Sequence, residues 1–203
     1  MKLYNSQGPN PHIVRMFAAE KGIDLALEEV DLMGGANRQE PYLKINPAGQ
    51  LPALALDNGD VITEVTAICE YLDEVGPGDS LIGSTPEERA QTRRWTRNVD
   101  LNIAEPMLDG FRCAEGFALF EKRMRLIPEA AEGQKARAQD KLKWLDEQLE
   151  GKDYLTGAAV TLADIFLFCI LAFGSAVGQP LNPDFANVKA WFDRMAERPS
   201  AAA

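Results

Sequence analysis

Histidine and cysteine are scarce in this chain, with one His and three Cys in 203 residues. His12, Cys69, Cys113 and Cys169 cannot supply the usual ligand sets of a zinc site, so no metal is expected. The cysteines are odd in number, widely spaced and never arranged as Cys-x-x-Cys, which excludes a disulfide framework and a dithiol redox motif. They read as core thiols in a reducing compartment. A basic excess is also missing: 21 Lys and Arg face 31 Asp and Glu, a net charge of −10, which excludes a nucleic-acid or anionic-membrane surface. Long apolar runs are absent too. The longest, Ile165 to Phe173, falls well short of the roughly 20 residues of a membrane helix, and Met1–Asn5 carries no apolar signal core. A soluble, cytoplasmic protein is the expectation.

What is present suffices for a core, since 46% of residues are hydrophobic and 26% charged. Residues 1–80 alternate short signals: Lys2–Asn5 extended, Ile13–Lys21 helical and closed by Gly22, Leu27–Asp31 extended. Leu54–Leu56 and Val61–Thr63 flank Asp57-Asn58-Gly59-Asp60, and Asn-Gly between apolar runs is a strong hairpin signal. Val65–Val75 returns to helical spacing, and Gly76-Pro77-Gly78-Asp79-Ser80 breaks the pattern. Beyond that linker every periodic segment is helical: Pro86–Phe111, Phe117–Ile127, Gln134–Leu149, Leu162–Ala176 and Val188–Arg198. The expected domains are 1–78, α/β, and 86–203, all α. Thr161-Leu162-Ala163-Asp164 has the spacing of a capping box ahead of a helix that is apolar almost all round. Asp164 is therefore expected to be a cap rather than a catalytic acid.

Two segments in the first domain point to a ligand. In Asn46-Pro47-Ala48-Gly49-Gln50-Leu51-Pro52-Ala53-Leu54, a proline stands where a strand normally needs a donor. Pro52 is a candidate for the cis isomer, which leaves the backbone groups of Leu51 free for a ligand. In Thr63-Glu64-Val65-Thr66-Ala67-Ile68 a strand passes into a helix, and helix N-termini collect anions.

Together these segments resemble the glutathione-binding domain of the cytosolic glutathione transferases. The resemblance implies a thioredoxin-like N-terminal domain followed by an all-α C-terminal domain. It extends to the Thr161–Asp164 box and to the closing Trp191–Ser200 segment. It further implies glutathione as co-substrate with no other cofactor, a hydrophobic electrophile or small disulfide as second substrate, and a homodimer.

Activation of glutathione requires that a thiol of pKa about 8.5 become thiolate near neutral pH. One donor worth roughly 1.5–3 kcal/mol lowers it by ~1–2 units. The donor is sought in Ser6-Gln7-Gly8-Pro9-Asn10-Pro11-His12, between the first strand and the first helix. Asn10 is the first candidate, because this loop resembles the Pro-Asn-Gly loop of the bacterial nu class. An amide stabilises a thiolate but forms no mixed disulfide. Ser6 is the second, by resemblance to theta- and zeta-like serine enzymes. Tyr4 occupies an alternating strand position and reads as core, and His12 is assigned no catalytic role.

The resemblance sets Glu64 against the γ-glutamyl amine and the Val65 N–H against the γ-glutamyl carboxylate. Most transferases carry serine where Val65 stands, and Thr66 offers a hydroxyl one residue later. Leu51 and Pro52 would hold the cysteinyl unit, while Gln39, Lys44 and Gln50 would surround the glycyl carboxylate. Asp100 resembles a residue that reaches across to a partner subunit's γ-glutamyl amine. The competing reading is a non-catalytic glutathione-binding or ligand-binding scaffold.

Overall fold

The computed structural model describes residues 1–203, which form two units, Met1–Ile82 with Pro199–Ala203, and Gly83–Arg198. The first contains, in chain order, β1 (Lys2–Asn5), α1 (Pro9–Lys21), β2 (Ala26–Glu29), the short α2 (Tyr42–Ile45), β3 (Ala53–Ala55), β4 (Val61–Thr63) and α3 (Val65–Val75). The sheet order is β2-β1-β3-β4. β1 and β2 run parallel across the α1 crossover, and β3 is antiparallel to both β1 and β4. The Asp57–Asp60 turn closes the hairpin with Leu56 N–H on the Asp60 carbonyl. This is the thioredoxin-like sheet, with α1 and α3 in mutual contact.

Alternation along β1 sends successive side chains to opposite faces. Leu3 is fully buried, together with Ile13, Val14 and Phe17 of α1 and Ile68 and Leu72 of α3. Tyr4 instead joins Tyr42, Leu51 and Ala53 in a second cluster and meets the Tyr42 ring edge-on at 5.8 Å. The core position expected for Tyr4 is the one it takes. The linker is fastened by a buried ion pair: Lys21 Nζ lies 3.2 Å from Asp73 Oδ1 and donates to the Asp79 carbonyl. Asp73 also accepts from Ser80 Oγ and the Leu81 N–H. The terminal segment Pro199–Ala203 groups with this unit. There Ser200 Oγ donates to the Glu20 carboxylate, and His12 Nε2 donates to the Ala201 carbonyl.

The second unit is helical: α4 (Pro86–Val99), α5 (Glu105–Cys113), α6 (Phe117–Phe120), α7 (Ala131–Gln148), α8 (Leu162–Ala176) and α9 (Ala186–Ala196). The long helix expected over Pro86–Phe111 is present but widens into a π turn at Asp100–Ala104. Pro106, which has no N–H to offer the Asn102 carbonyl, stands just beyond that turn, and proline commonly perturbs a helix in this way. The helix expected over Phe117–Ile127 ends at Phe120. Met124 and Ile127 are exposed, so its apolar residues find no surface to cover, and so short a helix does not persist without one.

α8 is buried along most of its length. Asp164, fully buried, accepts from the Thr161 N–H and Oγ1, both 2.9 Å, from the Leu155 N–H at 2.8 Å and from Trp191 Nε1 at 3.0 Å. The expected cap thus also fastens a loop and α9. Thr161→Ala removes the hydroxyl and the γ-methyl but leaves the Asp164 carboxyl in place, and is expected to cost on the order of 1 kcal/mol or more in urea unfolding, with the KM for glutathione unchanged.

Candidate active site

Strand register gathers Ser6, Leu51, Pro52, Glu64 and Val65 at one end of the sheet of the first unit. Tyr4 of β1 and Thr63 of β4 both lie opposite Ala53 of β3, in antiparallel pairs. Asn5 and Ser6 leaving β1, Leu51 and Pro52 entering β3, and Glu64 leaving β4 therefore lie along the same edge. α1 and α3 begin from it at Pro9 and Val65. The first turn of α3 brings its free N–H groups to this edge, whereas in α1, with proline at its first and third positions, only Asn10 has a free backbone N–H.

The Leu51–Pro52 bond is cis, as expected. The loop before it is a compact turn: Asn46 Oδ1 accepts the Ala48 N–H, and the Asn46 carbonyl accepts the Gly49 N–H. Gly49 has φ +61°, and a Cβ there would stand 2.9 Å from the Asn37 carbonyl, so only glycine fits. Asn37 Nδ2 donates to the Gly49 carbonyl at 2.7 Å, and Tyr42 OH and Asn46 Nδ2 donate to the Gln50 carbonyl at 2.6 and 2.9 Å. Burial pushes the Tyr42 pKa up to about 12, against an opposing hydrogen bond with Asn46. Its hydroxyl is thus protonated at any ordinary working pH. Neither backbone polar group of Leu51 has a hydrogen-bond partner within the chain.

Glu64 is the one non-glycine residue with positive φ, at φ 70° and ψ 126°. Strain of this kind costs roughly 1–3 kcal/mol and clusters at ligand sites. The Glu64 carboxylate is exposed, and α3 has no side-chain cap. The N–H groups of its first turn are open to a ligand, with Val65 buried and Thr66 half-buried beside them.

Asn10 lies not in a loop before the helix, as expected from the sequence, but at the second position of α1. The helix begins at Pro9, because Pro9 and Pro11 fall in the first turn, where no intrahelical N–H is lost. Gly8, at φ 127° and ψ 168°, is in a region essentially reserved for glycine and sets the entry into this turn. The half-buried Asn10 amide meets no partner in the chain. Ser6, by contrast, is only 3% exposed, and its hydroxyl donates to the Gln7 carbonyl at 3.2 Å.

Gln39 and Gln50 are exposed. Lys44 is exposed too and pairs with Glu40 at 2.7 Å. Asp100 belongs to the second unit and pairs with Arg97 at 2.8 Å. Burial pushes the His12 pKa down, against its hydrogen bond to Ala201, and its ring is committed to the terminal segment. No three His, Cys, Asp or Glu side chains form a metal-binding group, and no helix is long and apolar enough to cross a membrane. Asn37 and Tyr42 were not legible as site residues, because their roles arise from contacts with a loop that follows them in the chain.

A thioredoxin-like domain with a cis-proline loop, an unpaired backbone beside it and the open N-terminus of α3, followed by a helical domain, defines a class of two-domain proteins. Comparison with known proteins narrows it. The family model for the glutathione S-transferase N-terminal domain matches residues 8–75, and that for the C-terminal domain matches residues 115–199. The chain is 30% identical to the glutathione S-transferase GstA of Escherichia coli O157:H7, over 98% of this chain and 94% of that protein. A glutathione S-transferase domain-containing protein from Marinobacter aquaeolei VT8 superposes with a TM-score of 0.93 at 33% identity, covering 99% of this chain and all of that one. Gtt2 from Saccharomyces cerevisiae superposes at 0.90 with 28% identity, covering 100% and 99%. The chain belongs to the glutathione S-transferase family and is a transferase enzyme.

Proposed function

We propose that Asn10 activates glutathione, lying along this sheet edge, for attack on a soft, hydrophobic electrophile. The observation that carries the assignment is the contrast between the unpaired Asn10 amide and the buried, engaged Ser6 hydroxyl. Leu51 pairs with the cysteinyl unit. Glu64 takes the γ-glutamyl amine, and the Val65 N–H with the Thr66 hydroxyl takes the γ-glutamyl carboxylate. Gln39, Lys44 and Gln50 face the glycyl carboxylate, and Pro52 packs beside the cysteinyl side chain. The thiol proton leaves to solvent, Asn10 Nδ2–H stabilises the thiolate, and sulfur attacks the electrophilic carbon as the leaving group departs with its electron pair.

The same thiolate reduces a small disulfide: one glutathione displaces a thiolate to form a mixed disulfide, and a second glutathione displaces the other half. No protein cysteine takes part. Glutathione is the co-substrate, no further cofactor is invoked, and the reducing cytoplasm is the fitting compartment. Neither nucleic acid nor membrane is among the partners.

Steady-state assays with glutathione test this reading, one against a chloronitroaromatic acceptor and one against a small disulfide. Turnover of the first is expected. Retention of glutathione with no turnover of either would favour a binding scaffold. A homodimer is part of the proposal, with Asp100 reaching the γ-glutamyl amine bound to the partner subunit. Light scattering at micromolar concentration should give twice the chain mass; a single chain mass would remove that role from Asp100.

A further inference from the structure

The loop that presents Leu51 is held by a clamp of buried donors acting on two successive carbonyls. The Gly49 carbonyl accepts from Asn37, which is 2% exposed, and the Gln50 carbonyl accepts from Tyr42 and Asn46, each 4% exposed. Two donors on the Gln50 oxygen occupy both of its lone pairs. The Gln50–Leu51 peptide is not among the cis bonds of the chain, and in a planar trans unit the C=O and N–H point in opposite directions. A carbonyl drawn toward Tyr42 and Asn46 therefore turns the Leu51 N–H away from them, where it has no partner in the protein.

We infer that Tyr42 and Asn46 are positioning residues for glutathione, orienting the Leu51 N–H toward the cysteinyl carbonyl by fixing the plane of the Gln50–Leu51 peptide. The inference rests on the proposed pairing of Leu51 with the cysteinyl unit. Neither side chain need touch the tripeptide. Their effect is to remove, before binding, the rotation of a peptide plane that the ligand would otherwise have to arrest. The interaction is made alike in the ground and transition states, so its loss raises KM and leaves kcat in place.

Two variants isolate the donors. Tyr42→Phe removes the hydroxyl and keeps the ring against Tyr4. Asn46→Asp keeps the acceptor for the Ala48 N–H and loses the donor to Gln50. Each is expected to raise the KM for glutathione about 3- to 10-fold or more, with kcat within about twofold of wild type. In 15N-labelled wild-type protein, the Leu51 amide resonance should shift and its exchange slow on adding glutathione. In the variants this response should require proportionally more glutathione.

A response of Leu51 in the wild type together with unchanged KM in both variants would overturn the clamp and leave the glutathione assignment standing. So would a lowered thermal midpoint with no change in KM, the signature of a purely structural role. A wild-type Leu51 amide that ignores saturating glutathione would overturn the pairing and the clamp with it.

Discussion

Replacing Asn10 by alanine should raise the pKa of enzyme-bound glutathione by ~1–2 units, because one donor to the thiolate, worth roughly 1.5–3 kcal/mol, is lost. At pH values below both pKa values the thiolate fraction, and with it turnover, falls about 10- to 100-fold. The pH–rate profile moves to higher pH. Affinity is expected to hold, because in the proposed binding mode Leu51, Glu64 and the Val65 N–H carry the binding. Asn10 sits in the first turn of α1 and its amide makes no hydrogen bond within the chain, so stability is expected to change little. Ser6→Ala is the control, and its hydroxyl is already spent on Gln7. If Ser6→Ala moves the profile and Asn10→Ala does not, the donor is the hydroxyl. If neither moves it, the side-chain assignment fails and a backbone N–H of the Ser6–His12 segment is the donor left to test.

Asp164→Ala should destabilise the fold by several kcal/mol, far more than Thr161→Ala, because each buried donor left without an acceptor costs about 1–3 kcal/mol. The Leu155 N–H, the Thr161 N–H and hydroxyl, and Trp191 Nε1 all lose their acceptor in a dry interior. Urea unfolding measures the loss, and the KM for glutathione of the folded fraction should match wild type. A variant of normal stability that lost activity would overturn the structural assignment. Asp164 also leaves a pH signature. Burial raises its pKa, opposed by the hydrogen bonds from Leu155, Trp191 and Thr161. A carboxyl raised in the folded state stabilises most below its unfolded pKa of about 3.9, and that contribution disappears as pH rises through the folded value. Asp164→Asn has no such titration, so the stability gap between wild type and this variant should narrow as pH rises through that window.

Local patterns were legible wherever short-range chemistry decided the outcome. Val65–Val75 is helical over the residues its spacing predicts, Asn58-Gly59 turns the β3–β4 hairpin, and the Thr161–Asp164 box caps α8. The proline loop and the Glu64 turn read as candidate ligand-binding segments from the sequence, yet their meeting at one edge depends on antiparallel register, a long-range property. Asn10 falls before the helix expected over Ile13–Lys21, whereas the helix begins at Pro9, since proline is compatible with a first turn. Phe117–Ile127 has helical spacing, but periodicity reports what a segment could bury and not whether a neighbour receives it. The Tyr42 and Asn46 contacts and the tail packing on α1 join residues that no local pattern connects.

A crystal structure of the wild-type enzyme with glutathione bound tests the central claim most directly. The Leu51 N–H should meet the cysteinyl carbonyl at about 2.9–3.0 Å, with the sulfur facing Asn10 Nδ2 within roughly 3.5 Å and the γ-glutamyl group at Glu64 and the start of α3. A sulfur directed at Ser6 Oγ, or a tripeptide that leaves the Leu51 N–H unpaired, would contradict it.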